Sequence, residues 1–197
     1  MKAGGALLWG GGIALVGAAA WMLLGGSSSS SAPALSGWEL SRQQMLDQAR
    51  ALRDAGTLYQ WGGGRHAGDY GVDCSGLVIV AARAAGVPLP PQGWTSTVWW
   101  QVLPHISDPS PGDLVFYGLG GVAHHVGFVD EGGLMLGANG GDQSVTTPAI
   151  AQARGAFVKN APVGYRPDLL GYASFDPALR GQASARPSFA SPITCCD

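Results

Sequence analysis

The chain has 197 residues, a formal charge of −2 and 12% charged residues. That length holds one domain with a proper core plus extensions, and the charge leaves no basic footprint, which argues against nucleic acid as a partner. The three cysteines, Cys74 and the neighbours Cys195 and Cys196, form no disulfide framework, because bridged Cα atoms normally sit further apart than adjacent ones.

From Ala3 to Gly26 no residue is charged. At about 1.5 Å per residue such a run is long enough to cross a ~30 Å hydrocarbon core. A retained membrane anchor is the favoured reading. A cleaved signal ending near "APA" at residues 32–34, or a segment packed against protein in a larger assembly, are the alternatives. Lys2 before the segment would keep the N-terminus in the cytosol and export the rest. Residues 27–37 then read as a Ser-rich linker.

Met45, Ala49 and Leu52 at helical spacing predict a helix from about Leu40 to Ala55, stopped at Gly56. "YQWGGG" must be a loop. A second helix is expected from Cys74 to Ala85, with Asp73 at the N-cap and Gly86 and Pro88 beyond the end. A short helix over residues 95–102 would carry Trp99 and Trp100. From "PGDLVFYG" onward the texture turns to strands: "DLVFY", "HHVGFV", "LMLGA", "GAFVKN" and "VGYRP". Helices first and strands later predict an α+β domain with a mostly antiparallel sheet. The domain is expected over residues 38–170, after a hydrophobic segment at 1–26 and before a flexible tail at 171–197. Cys195 and Cys196 in that tail are candidates for lipidation or for a bridge to another chain.

Cys74 has no evident structural partner, and a free cysteine is often just a small buried hydrophobe. Its place in the first turn of a helix argues for more, because unpaired N–H groups and the helix dipole both favour an anion there. The glycine-rich loop before it would let a substrate backbone approach closely. A thiolate nucleophile needs a base, and the candidates are His66, His105, His124 and His125. His66 and His105 read as surface residues. His125, Gly127 and Val129 alternate with His124, Val126 and Phe128, so only one histidine of the pair can face the cysteine. No Cys or His cluster has zinc-ligand spacing, and no phosphate-binding glycine pattern is present, so neither a metal nor a cofactor is expected.

The ordered stretches "YQWGG", "DCSGLV", "PGDLVFY" and "HVGFV" resemble the NlpC-type cell-wall peptidases, a branch of the papain-like cysteine hydrolases, in the unpermuted order. The resemblance runs from about Leu40 to Gly164. It implies a papain-like domain in which N-terminal helices pack on the sheet, with Cys74 as nucleophile and His125 as general base. It further implies that Tyr59, Asp73 and Ser75 hold the free amine end of a murein stem peptide. Each also has a plain structural role open to it: packed aromatic, helix cap and first-turn residue.

One departure stands out. Relatives commonly carry a polar residue twelve positions after the catalytic histidine, and here that position is Gly137. A three-residue turn "EGG" would instead set Asn139 opposite His125, where its carbonyl can orient the imidazole. Asp142 and Gln143 are the fallbacks. The resemblance implies a cysteine endopeptidase acting on peptidoglycan stem peptides, with the γ-D-glutamyl–diamino acid bond as target. The protein would face the periplasm or cell exterior, held to the membrane or a larger assembly through residues 3–26. The rival is a phage virion component, at a tail tip or ejected, that degrades wall or is purely structural.

Overall fold

The computed structural model describes residues 35–178. Helix α1 (Gly37–Asp54) opens with a reciprocal capping box: the Ser36 hydroxyl accepts from the Glu39 N–H at 3.2 Å, and the Glu39 carboxylate accepts from the Ser36 N–H at 2.7 Å. Its buried stripe is Met45, Leu46 and Ala49. Helix α2 (Cys74–Ala84) is apolar on nearly every side and lies against α1. Helix α3 (Ser96–Val102) carries Trp99 and Trp100 into the core, and α4 (Pro148–Arg154) is capped by Thr147.

The strands are β1 (Leu58–Tyr59), β2 (Gly71–Val72), β3 (His105–Ile106), β4 (Leu114–Leu119), β5 (Val122–Val129), β6 (Leu134–Asn139), β7 (Phe157–Pro162) and β8 (Leu169–Ala173). They form one sheet in the order β2-β1-β7-β6-β5-β4-β8-β3. Every pairing is antiparallel except β1 with β2. Alternate residues of the central strands split between two cores. Leu114, Phe116, Val126, Phe128, Leu136 and Ala138 meet the helices, while Val115, Tyr117, Val129 and Met135 build a smaller cluster. The fold is thus the α+β arrangement expected, with helices on a mostly antiparallel sheet.

Several details differ from the sequence reading. "VGYRP" is not a strand: Val163–Tyr165 form a 3₁₀ turn, and the next strand is β8, which runs through Ala173 past the expected end of the domain at residue 170. Helix α4 was not foreseen, since Ala151 alone of its seven residues is buried. His105 is not a bare surface residue, because its ring stacks on Trp100 at 3.6 Å and its Nε2 bonds the Trp100 carbonyl oxygen. The apolar segment at residues 3–26, the linker up to Ala34 and the tail cysteines lie outside the described residues. Among the described residues no helix is long and apolar enough to cross a membrane.

Candidate active site

Asp73 caps α2 as its sequence predicts: the carboxylate accepts the Gly76 N–H at 2.6 Å. Cys74 is therefore the first residue of the helix. The loop before it folds back onto this first turn so tightly that no side chain fits between them. A Cβ on Gly76 would lie 1.9 Å from the Gly63 carbonyl oxygen, and one on Gly64 would lie 2.8 Å from that of Gly76. Gly64 and Gly76 thus permit this backbone-on-backbone packing, a structural use of these glycines that the sequence reading did not include.

Cys74 is wholly buried. Contrary to the expectation of no partner, its sulfur is disulfide-bonded in this structure, so the species able to attack is the reduced one. The chain's other cysteines, Cys195 and Cys196, are not among the described residues.

Helix α2 packs on β5 and β6, the strands that carry His125 and Asn139. The hairpin joining them turns through a 3₁₀ element at Glu131–Gly133. Its pairs Phe128↔Leu136 and Val129↔Met135 set a register that, continued, brings His125 opposite Asn139. The imidazole Nε2 and Asn139 Oδ1 lie 2.9 Å apart. The Asn139 amide is fixed by its other partners: Nδ2 donates to the Lys159 carbonyl at 3.1 Å and to Met135 Sδ at 3.5 Å. Tyr165 donates its hydroxyl to the same Oδ1 at 3.3 Å. An amide oxygen only accepts, so Nε2 carries the proton and Nδ1 keeps the lone pair, the arrangement a general base requires.

Gly137 explains why this works. A Cβ at that position would come within 3.3 Å of Asn139 Oδ1 and 3.4 Å of Nδ2. The Asn139 amide fills the space into which a side chain at position 137 would project. The fallback Asp142 is engaged elsewhere, by Ser144 and Arg154, and Gln143 makes no described contact with the imidazole.

Burial holds the His125 pKa down at about 4, with Arg166 adding to the effect and Asn139 and Asp168 opposing it. In this surrounding the imidazole is neutral at pH 7. Tyr117 lies beside it, ring centroids 5.9 Å apart, and Tyr165 packs edge-on against Tyr117. His124 has a buried Nδ1 with no hydrogen bond among the described residues, and His66 is exposed.

Of the three expected substrate contacts, Tyr59 is buried and packed on Gly141, where an added Cβ would meet its ring at 2.2 Å. Asp73 and Ser75 bond each other at 3.1 Å, and Arg65 joins them: Nη1 to Asp73 Oδ2 at 2.8 Å and Nη2 to Ser75 Oγ at 2.7 Å. The sequence reading missed Arg65 and Tyr165. No spacing rule flags an arginine in a glycine loop, and Tyr165 was assigned to a strand that does not form.

The NlpC/P60 family model matches residues 56–166. Peptidoglycan endopeptidase RipB of Mycobacterium tuberculosis is 36% identical over 115 residues, covering 53% of this chain and 46% of RipB. The chain thus corresponds to about half the length of that relative. Two solved structures share the fold. An NLP/P60-family protein similar to a lipoprotein, from Staphylococcus aureus, has TM-score 0.50 and 22% identity, over 68% of this chain and 41% of that one. NlpC1 from Trichomonas vaginalis has TM-score 0.51 and 19% identity, over 68% and 44%.

Proposed function

The chain belongs to the NlpC/P60 family, and from that premise we propose that it is a cysteine endopeptidase cleaving amide bonds in murein stem peptides, at the γ-D-glutamyl–diamino acid junction. The observation that carries the reading is the His125–Asn139 bond, which leaves a neutral imidazole with its basic nitrogen available, on the strands against which α2 packs.

In this mechanism His125 Nδ1 takes the proton of the reduced Cys74 thiol, and the thiolate attacks the amide carbon. Backbone N–H groups at the start of α2 hold the oxyanion. The imidazolium returns its proton to the leaving amine of the diamino acid. The thioester left on Cys74 is then hydrolysed by water that His125 deprotonates, which restores the thiol. Asn139 stays hydrogen-bonded to Nε2 throughout and fixes the tautomer. Tyr59, Asp73 and Ser75 form the wall that the acyl side of the substrate meets. Residues 3–26 tether the domain at the outer face of the membrane.

The test is to incubate the reduced full chain with purified murein and assay new amine ends, with products identified by mass. Release of fragments ending in γ-D-glutamate, lost in Cys74→Ala, supports the reading. No new amine ends from the reduced wild type would overturn it.

A further inference from the structure

Asn139 meets the imidazole with a group whose two ends are alike in size and opposite in hydrogen-bonding sense. Turned over, the amide would offer donors to Nε2. That nitrogen could meet them only with its lone pair, which moves the proton to Nδ1 and leaves no base there. The base therefore depends on the amide being held one way round. Two partners stand at its two ends: the Lys159 carbonyl accepts from Nδ2 at 3.1 Å, and the Tyr165 hydroxyl lies 3.3 Å from Oδ1. A carbonyl can only accept, so the sense of the first bond is fixed. A hydroxyl can donate or accept, so the sense of the second must come from a further group. That group is Arg166, whose guanidinium bonds the Tyr165 hydroxyl. A guanidinium has no acceptor, so the phenol oxygen accepts from it and the O–H is left to point at Oδ1. Burial raises the Tyr165 pKa, so the phenol keeps that proton at pH 7. Arg166 is itself anchored by Asp168, Nε to Oδ1 at 2.8 Å and Nη2 to Oδ2 at 2.6 Å.

We propose that Tyr165, with Arg166 behind it, is a positioning residue for the catalytic base: its hydroxyl holds the Asn139 amide one way round and thereby fixes the tautomer of His125; this rests on the peptidase reading above. The donors then run in one sense, from Arg166 to Tyr165 and from Tyr165 to Asn139, where the His125 Nε2–H arrives at the same oxygen. Tyr165 touches no reacting atom and acts through the amide alone. Its ring is 40% exposed and lies edge-on to Tyr117, centroids 5.5 Å apart, so apolar burial does not account for where the hydroxyl is delivered.

The first measurement needs no turnover. Ring-nitrogen NMR of His125 at pH 7, in the full chain carrying Cys74→Ala, reads the ratio of Nε2–H to Nδ1–H tautomers. The Nε2–H form is expected to dominate. Tyr165→Phe keeps the ring and removes the hydroxyl, and it should lower the ratio by about fivefold, the worth of one neutral hydrogen bond. Arg166→Met keeps the aliphatic stem and removes the donors, and it should move the ratio the same way; it decides the matter should Tyr165→Phe fail to fold. A dominant Nδ1–H form in the parent, or an unchanged ratio in the variant that decides, overturns the proposal. The second measurement is kinetic, with the reduced full chain and L-alanyl-γ-D-glutamyl-diaminopimelate. Tyr165→Phe is expected to lower kcat by about fivefold with KM unchanged, and to change it by less than about twofold in the Asn139→Ala background, where the amide it acts through is gone. Equal losses in both backgrounds would mark a merely structural residue and overturn the proposal. A tautomer shift in a chain that cleaves no peptide keeps the hold on the imidazole and sinks the peptidase. Cleavage with an unshifted tautomer does the reverse.

Discussion

The two halves of the site are held by different means. Around Cys74 the chain is pressed backbone against backbone: Gly63 and Gly64 lie on Gly76 in the first turn of α2, with no room for a Cβ on Gly64 or Gly76, and Asp73 ties loop and helix together through Gly62 and Gly76. Around His125 the geometry is made by side chains across a hairpin, His125 to Asn139 and Asn139 to Lys159. The first half tolerates no change of shape. The second half fixes a place in space that more than one sequence position can reach.

Substitutions can break or sharpen this contrast. The largest effect is expected from Cys74→Ala, which should lower murein hydrolysis by about 10⁴-fold. The same loss should follow from leaving the wild type unreduced, since its sulfur is disulfide-bonded, and a reducing agent should restore the rate. Next comes Gly76→Ala. The added methyl would sit 1.9 Å from a backbone oxygen, so denaturant unfolding should show about 3 kcal/mol of destabilisation, or no folded protein.

The hairpin half should show itself in pH dependence. The His125 pKa is lowered to about 4 in the folded protein, against about 6.5 when unfolded. Between those values the unfolded chain takes up a proton that the folded chain refuses. Stability should therefore be full above pH 6.5 and decline as pH falls towards 4, by up to about 3 kcal/mol. Urea midpoints across that range check this, and His125→Gln should flatten the slope.

The smallest expected effect is also the sharpest test of an interchangeable place. Asn139→Ala should cost about a hundredfold in kcat with KM nearly unchanged. Gly137→His in the Asn139→Gly background should regain at least about tenfold, since its side chain enters the vacated space once the flexible Met135 end moves aside. A double variant no better than Asn139→Ala would show that the two positions are not equivalent.

The same contrast separates what the sequence discloses from what it hides. Asp73, an apolar run and Gly86 mark α2 on a single element, so the nucleophile's placement could be read locally. The partnership of His125 and Asn139 could be read only through an assumed turn length, because one residue of slip moves a side chain to the other face. Arg65 escaped altogether: its bonds to Asp73 and Ser75 exist only after the loop has folded back, and sequence separation does not encode that return. Helix α4 has a Thr147 cap, a first-turn proline and Gly155 at its end, yet it is too short and too polar to show a period. Strand β8 pairs with both β4 and β3, and those long-range partners rather than its composition make it a strand.

The 3₁₀ element at Glu131–Gly133 has a consequence for how such sites diverge. Hairpin length sets how far along the sequence the residue opposite the imidazole lies: shortening this loop by two with the strand pairing kept would leave Asn139 facing His125, but twelve positions after it rather than fourteen. An insertion or deletion at this exposed tip thus changes the spacing of the site in the sequence without changing the groups that meet in space. A column-by-column alignment that ignores the gap would then report a missing third residue where none has been lost.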